Sequence, residues 1–184
     1  DIILTIDHNI QKRAEEELIS AKEKWAAESG SILVLEPKTG KILAMAALPV
    51  FDPNEYSKEK DYQVFKNPLV ESIFELGSVF KPITMAGALN ENLISPSTVY
   101  DDTGEVKIGG YKINNFDGKA HGIQTMAQVL EKSLNTGAVF TQKLLGKERF
   151  KKYVDDFGFG IKTDIALPGE VSGNISNLKQ YRDI

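Results

Sequence analysis

Pro82 fixes where a helix begins, and with it the geometry of the residues just before it. The run is Phe74-Glu75-Leu76-Gly77-Ser78-Val79-Phe80-Lys81-Pro82-Ile83-Thr84. Proline is tolerated in the first helical turn, where its missing N–H has no partner to lose. The helix is therefore expected to start at about Ser78 and to run to about Asn92. Gly77 permits a sharp turn into it. Ser78 and Lys81, three apart, then share one face. The hydroxyl lies at the positive end of the helix dipole, beside an amine in the apolar company of Val79, Phe80, Ile83 and Met85. A lysine desolvated in this way gives up its proton more easily, and a serine needs such a base beside it to act as a nucleophile. The same serine also fits a plain helix N-cap.

The spacing Ser-x-x-Lys alone is weak, and the chain carries it twice more. Ser57-Lys58-Glu59-Lys60 lies in a charge run that cannot desolvate a lysine. Ser176-Asn177-Leu178-Lys179 leads into the polar stretch Gln180-Tyr181-Arg182-Asp183. Only Ser78 has a glycine before it and an apolar helix behind it. A second constellation is Ser133-Leu134-Asn135, expected at a break between two helices because Ser133 to Gly137 are weak helix formers. A break there turns a hydroxyl that can relay a proton, and an amide that can both donate and accept, toward a cleft. The plainer reading is a pair of capping residues. Ser172-Gly173-Asn174 and Lys38-Thr39-Gly40 read as turn chemistry, as does Lys162-Thr163-Asp164.

Composition narrows the class. A chain of 184 residues with 41% hydrophobic content can bury a core of ordinary size. A formal charge of −4 argues against a nucleic-acid partner, which needs a clustered basic face. No apolar run approaches membrane-span length. The chain has no cysteine, so thiol chemistry is excluded, and His8 and His121 lack metal-ligand spacing. No cofactor or metal is expected.

The remaining elements follow from periodicity. A helix is expected over about 8–28, capped by Asp7, with Ile10, Ala14, Leu18, Ala21 and Trp25 on its packed face. Ser31–Glu36 and Lys41–Ala47 read as strands, apolar on both faces and so covered on both. The stretch 48–74 reads as loop. Ile108-Gly109-Gly110-Tyr111 signals a hairpin. Thr125-Met126-Ala127-Gln128 is a capping box opening a helix. Helical character resumes after Gly137 to about Leu145, a further helix covers about Lys147–Asp156, and Ile161–Leu167 reads as a strand.

Ser78-Val79-Phe80-Lys81 followed by Ser133-Leu134-Asn135 resembles the first two motifs of the penicillin-binding proteins. The likeness extends in order along nearly the whole chain. Leu4-Thr5-Ile6-Asp7 with Ile10-Gln11 is similar to the entry of the transpeptidase domain in the large, membrane-anchored class B members. Gly40 to Ala46 with Pro49, Phe51, Asp52, Pro53 and Asn54 is similar to the stretch ahead of the serine. Phe157-Gly158-Phe159-Gly160 and Leu167-Pro168-Gly169-Glu170 are similar to the region after the second motif. Leu76 and Val79 stand where the family often has proline and threonine.

The resemblance implies an α+β transpeptidase-like fold, with helices packed on an antiparallel sheet. It implies a D,D-transpeptidase of peptidoglycan crosslinking. Ser78 would be the nucleophile, Lys81 its base and Ser133 a proton relay, while Asn135 would hold the acyl donor. Partners would be stem peptides ending in D-Ala-D-Ala and β-lactam antibiotics, at the extracytoplasmic face of a bacterial membrane. The family's third motif, a Lys-Thr-Gly on a later strand, does not appear downstream of Ser133. Residues 1–184 therefore read as an incomplete transpeptidase domain. Without the oxyanion donor from that strand, this stretch by itself is expected to be almost inert. A serine β-lactamase, a β-lactam sensor domain and a structural remnant remain open. An incomplete sheet leaves a strand edge unpaired, so the isolated chain is expected to form dimers as its concentration rises. Light scattering checks this; a monomer at every concentration would contradict it.

Overall fold

The computed structural model describes residues 3–180, so the polar stretch Tyr181-Arg182-Asp183 lies outside the described residues. The chain divides into two compact units. One runs up to Ile73 and takes in Asp164–Val171; the other holds Phe74–Thr163 and the segment from Ser172 onward. Strands form three two-stranded antiparallel sheets among the described residues. The fold class is α+β, and no described helix is long and apolar enough to cross a membrane.

In the first unit, α1 (His8–Trp25) starts where Asp7 accepts hydrogen bonds from the N–H groups of Asn9 and Ile10. It packs across one face of the hairpin β1 (Gly30–Leu35) and β2 (Ile42–Leu48). Ala14 and Leu18 meet Ala44 and Ala46 there, with Ile10, Ile32, Val34 and Leu48 around them. The expected packed face stops short: Ala21 and Trp25 are exposed, because the last turns of α1 lie outside that cluster. Coverage of both sheet faces is also not met. β1 alternates, with Ile32 and Val34 toward α1 and Leu33 and Leu35 exposed on the other side. The expected loop at 48–74 contains two 3-10 turns, Tyr56–Lys58 and Tyr62–Phe65, and the one-turn helix α2 (Pro68–Glu71). Asn67 opens α2 by accepting from the Leu69 N–H and donates to Met45 Sδ on β2.

In the second unit, α3 (Lys81–Asn90) packs against α5 (Asn135–Leu145) and α6 (Lys147–Asp156). Its core joins Met85 and Ala88 of α3 to Ile94, Tyr100, Met126, Val129 and Leu134, with Phe140 against them. α4 (Met126–Glu131) opens with both halves of the Thr125–Gln128 capping box in place. The Gly109-Gly110 hairpin joins β4 (Glu105–Ile108) to β5 (Tyr111–Asn114) as the sequence predicts. Sequence patterning missed the pair β3 (Val99–Asp102) and β6 (Gly122–Thr125). Each is only four residues long, too short for a clear alternation. The strand expected over 161–167 does not form. Asp164 has a φ of 58°, and a Leu167 N–H to Ile165 carbonyl bond folds the backbone on itself. A short helix, α7 (Ser176–Gln180), follows.

Close packing under α5 depends on Gly137. A Cβ there would sit 2.8 Å from Val129 Cγ1 and 2.9 Å from the Tyr100 hydroxyl, with Val129 Cγ2 nearer still. Val129 is fully buried and has nowhere to retreat. Overpacking of this kind costs up to about 3 kcal/mol, more than the roughly 1 kcal/mol that alanine gains over glycine in a helix. Gly137→Ala should therefore lower stability by about 2 kcal/mol in urea unfolding; an unchanged or raised midpoint would show that α4 and α5 can move apart.

Candidate active site

Ser78 does not open the α-helix itself. It lies in a 3-10 turn, Gly77–Phe80, that precedes α3. Gly77 enters that turn with a φ of 60°, a conformation glycine adopts without strain. The turn winds on into α3, with Lys81 and Pro82 in its opening turn. Proline thus sets the helix start as the sequence reading required, three residues later than expected. The consequence is a division of exposure: Ser78 and Val79 face solvent, while Lys81 is 9% exposed. Val79 at 71% exposure is not part of the apolar surround expected for the amine.

The Lys81 amine meets three oxygens. Nζ lies 3.2 Å from Ser78 Oγ, and it donates to the Ser133 carbonyl at 2.6 Å and to Ser133 Oγ at 2.9 Å. An ammonium has three N–H groups for these three acceptors. A neutral amine has two N–H groups and a lone pair. With the two donors kept on Ser133, the lone pair is left for the proton of Ser78. Burial pushes the Lys81 amine below its ordinary value, because the charged form loses hydration.

Ser133 reaches Lys81 because α4 ends in a Schellman turn. The Leu134 N–H bonds to the Val129 carbonyl at 2.9 Å, and the Ser133 N–H to the Leu130 carbonyl at 3.2 Å. Such a turn places its penultimate residue in the left-handed region, usually with glycine there. Here that residue is Ser133, with a φ of 55°. A serine held there costs of order 1 kcal/mol or more, and the conformation directs both its carbonyl and its hydroxyl at Lys81. The capping alternative holds for Ser133 only through its backbone, one position beyond the C-cap Lys132 of α4, and does not hold for Asn135. The N-cap of α5 is Leu134, whose side chain makes no capping bond. Asn135 instead donates through Nδ2 to the Asn114 carbonyl at 2.8 Å. Ser78, Lys81 and Ser133 are in one hydrogen-bonded cluster, and Asn135 stands two residues beyond it on the first turn of α5.

Three of the other motif matches are turn chemistry, while Ser176 opens the short helix α7. Thr39 bonds through its hydroxyl to Glu36, and the Gly40 N–H bonds to the Glu36 carbonyl at 2.9 Å, closing the β1–β2 connection. Asn174 accepts from the Ser176 N–H at 2.9 Å. Ser57 lies in an exposed 3-10 turn.

Sequence reasoning missed a polar group beneath the site. Asp102 is 1% exposed, Asn115 4% and Thr136 6%. Asp102 Oδ1 accepts from Thr136 Oγ1 at 2.7 Å and from the Gly104 N–H at 2.9 Å. Its Oδ2 accepts from Asn115 Nδ2 at 2.7 Å and from the His121 N–H at 3.2 Å. Burial pushes this carboxyl up, but the four hydrogen bonds outweigh it and hold the group below the usual carboxylate value. β3 places Asp102 on the same face as the buried Tyr100, but four residues are too few for the sequence to show that alternation.

A family model described as the penicillin binding protein transpeptidase domain matches residues 30–182. The chain belongs to that family. It is 36% identical over 181 residues to the stage V sporulation protein D of Bacillus subtilis, covering 98% of this chain and 28% of that protein. It is 32% identical to a probable peptidoglycan D,D-transpeptidase PenA of Neisseria gonorrhoeae, covering 100% of this chain and 31% of that one. Its structure resembles penicillin binding protein 3 of Mycobacterium tuberculosis complexed with aztreonam, with a TM-score of 0.89 and 33% identity. The match covers 98% of this chain and 40% of that one. The chain thus spans less than a third of the length of these two relatives.

Because folding lowers the proton affinity of Lys81, the unfolded chain binds more protons there between the depressed value and about 10.4. Stability owed to this residue is then least at low pH and rises with pH through that window. Lys81→Met removes the contribution. The stability of wild type relative to K81M should climb from neutral to alkaline buffers; parallel melting curves across that range would show that Lys81 titrates as an ordinary lysine.

Proposed function

We propose that this chain is the part of a peptidoglycan D,D-transpeptidase domain that carries the nucleophile and its proton-transfer partners, working through an acyl-serine. The single observation that supports this is the Lys81 amine held between Ser78 Oγ and both oxygens of Ser133. The relatives named D,D-transpeptidases point the same way.

In this reading, neutral Lys81 takes the Ser78 proton as Oγ attacks the carbonyl of the penultimate D-alanine in a stem peptide. The Ser78 N–H is one donor to the oxyanion that forms. The C–N bond then breaks, the Ser133 hydroxyl relays a proton to the departing amine of the terminal D-alanine, and the acyl group stays on Ser78. Asn135 holds the amide of the acyl donor. An amine from a neighbouring stem peptide attacks the ester, passes its proton back along the same route and restores the serine. A β-lactam carries its scissile amide in a ring, so its leaving amine remains tethered and the acyl-serine persists. The site would work at the extracytoplasmic face of a bacterial membrane, where its substrate lies.

Labelling of the full-length protein with a fluorescent penicillin, followed by digestion and mass spectrometry, tests this. The label should sit on Ser78 and vanish in S78A. Ser133→Ala should slow acylation by about 10²–10⁴-fold, the span for loss of a positioned acid–base group. The rate should rise with pH to a midpoint below the ordinary lysine value of about 10.4. Label on another residue, or an S78A protein that labels as wild type does, would refute the reading.

A further inference from the structure

The first turn of α5 has no local cap. Its N-cap position is Leu134, which belongs to the core, and Ser133 is committed to Lys81. The donors there are satisfied from a distance. Asn115 Oδ1 accepts from the Asn135 N–H at 3.0 Å and from the Thr136 N–H at 3.3 Å. Asn115 is itself fixed at the end of β5, where its N–H bonds to the Gly104 carbonyl at 3.1 Å. Its Nδ2 bonds to Asp102 and, at 3.1 Å, to the Lys119 carbonyl.

Resting on the acyl-transfer reading above, we propose that Asp102, Asn115 and Thr136 are positioning residues that hold Ser133 and Asn135 in register with Lys81. A carboxylate only accepts hydrogen bonds, so the Asn115 amide must present its Nδ2 to Asp102. That leaves Oδ1 facing α5, where two backbone N–H groups need an acceptor. Thr136 adds a direct link, donating its hydroxyl to Asp102 Oδ1 while lying 3.2 Å from the Tyr100 hydroxyl. All four donors to Asp102 are uncharged, so nothing in this cluster supplies a compensating cation. An anion buried in this way is a costly means of closing a helix end. It earns its place by fixing the direction of one amide. Asn135 then hangs between the Asn115 side chain, through its N–H, and the Asn114 carbonyl, through its own side chain. Ser133, two residues earlier, is carried with it.

The test uses N115A, T136V and T136S in the full-length protein, with V154A as a control for lost stability, since Val154 is buried in α6 outside this network. Two quantities are read: hydrogen exchange of the Asn135 and Thr136 amides, and the rate of Ser78 acylation by penicillin. N115A should expose both amides and slow acylation by about 100-fold, as a misplacement near 1 Å does. T136V should slow acylation by about 10-fold, and T136S, which keeps the hydroxyl, should regain most of that loss. V154A should melt lower yet acylate at the wild-type rate. Wild-type acylation in both N115A and T136V would overturn the proposal, as would undiminished amide protection in N115A. If wild type itself fails to label at Ser78, the acyl-transfer reading falls, while loss of protection in N115A would still support the positioning geometry.

Discussion

Everything in the site turns on one amine held between two elements that are distant in sequence. Lys81 begins α3, and Ser133 ends α4, 52 residues later. The three contacts at Nζ join them. Burying an amine costs hydration free energy, and that cost favours the neutral form. The same burial that threatens stability thus prepares the residue to accept a proton. In the acyl-transfer proposal the exposure of Ser78 completes the arrangement, because a nucleophile must remain reachable while its base is kept dry.

Strain and burial are concentrated around this contact. Ser133 occupies a left-handed position where glycine would be easier, and glycine would bring no hydroxyl. Leu134 occupies a cap position where serine or aspartate would be better, and those would bring no core side chain. Both local compromises are offset by tertiary structure. The Schellman bonds hold the turn, Val129 and Leu134 lie in one cluster, and the Asp102–Asn115 pair supplies the missing cap. Residues that break a local rule at a functional position and are compensated elsewhere are what a site selected for chemistry is expected to show.

Local signals gave much of the fold. Asp7 and the Thr125–Gln128 box mark helix starts, Gly109-Gly110 marks a hairpin, and Pro82 marks the opening of α3, because each acts through bonds to residues at most a few positions away. The failures have the opposite character. Coverage of the outer face of β1, the packed length of α1 and the pairing of β3 with β6 depend on which elements meet, and the period of a short segment does not encode that. At 161–167, where a strand was expected, backbone turns prevail.

The amino-acid order alone set Ser78 and Lys81 side by side, since a glycine, a serine and a lysine ahead of a helix-opening proline admit few geometries. It also located the break that carries Ser133 and Asn135. Only the tertiary structure decided that the break faces Lys81, that Val79 turns to water, and that Asp102 and Asn115 lie beneath α5. The reason is range. Steric and capping preferences act within a turn or two of chain, whereas burial and long-range hydrogen bonds exist only once the elements have packed.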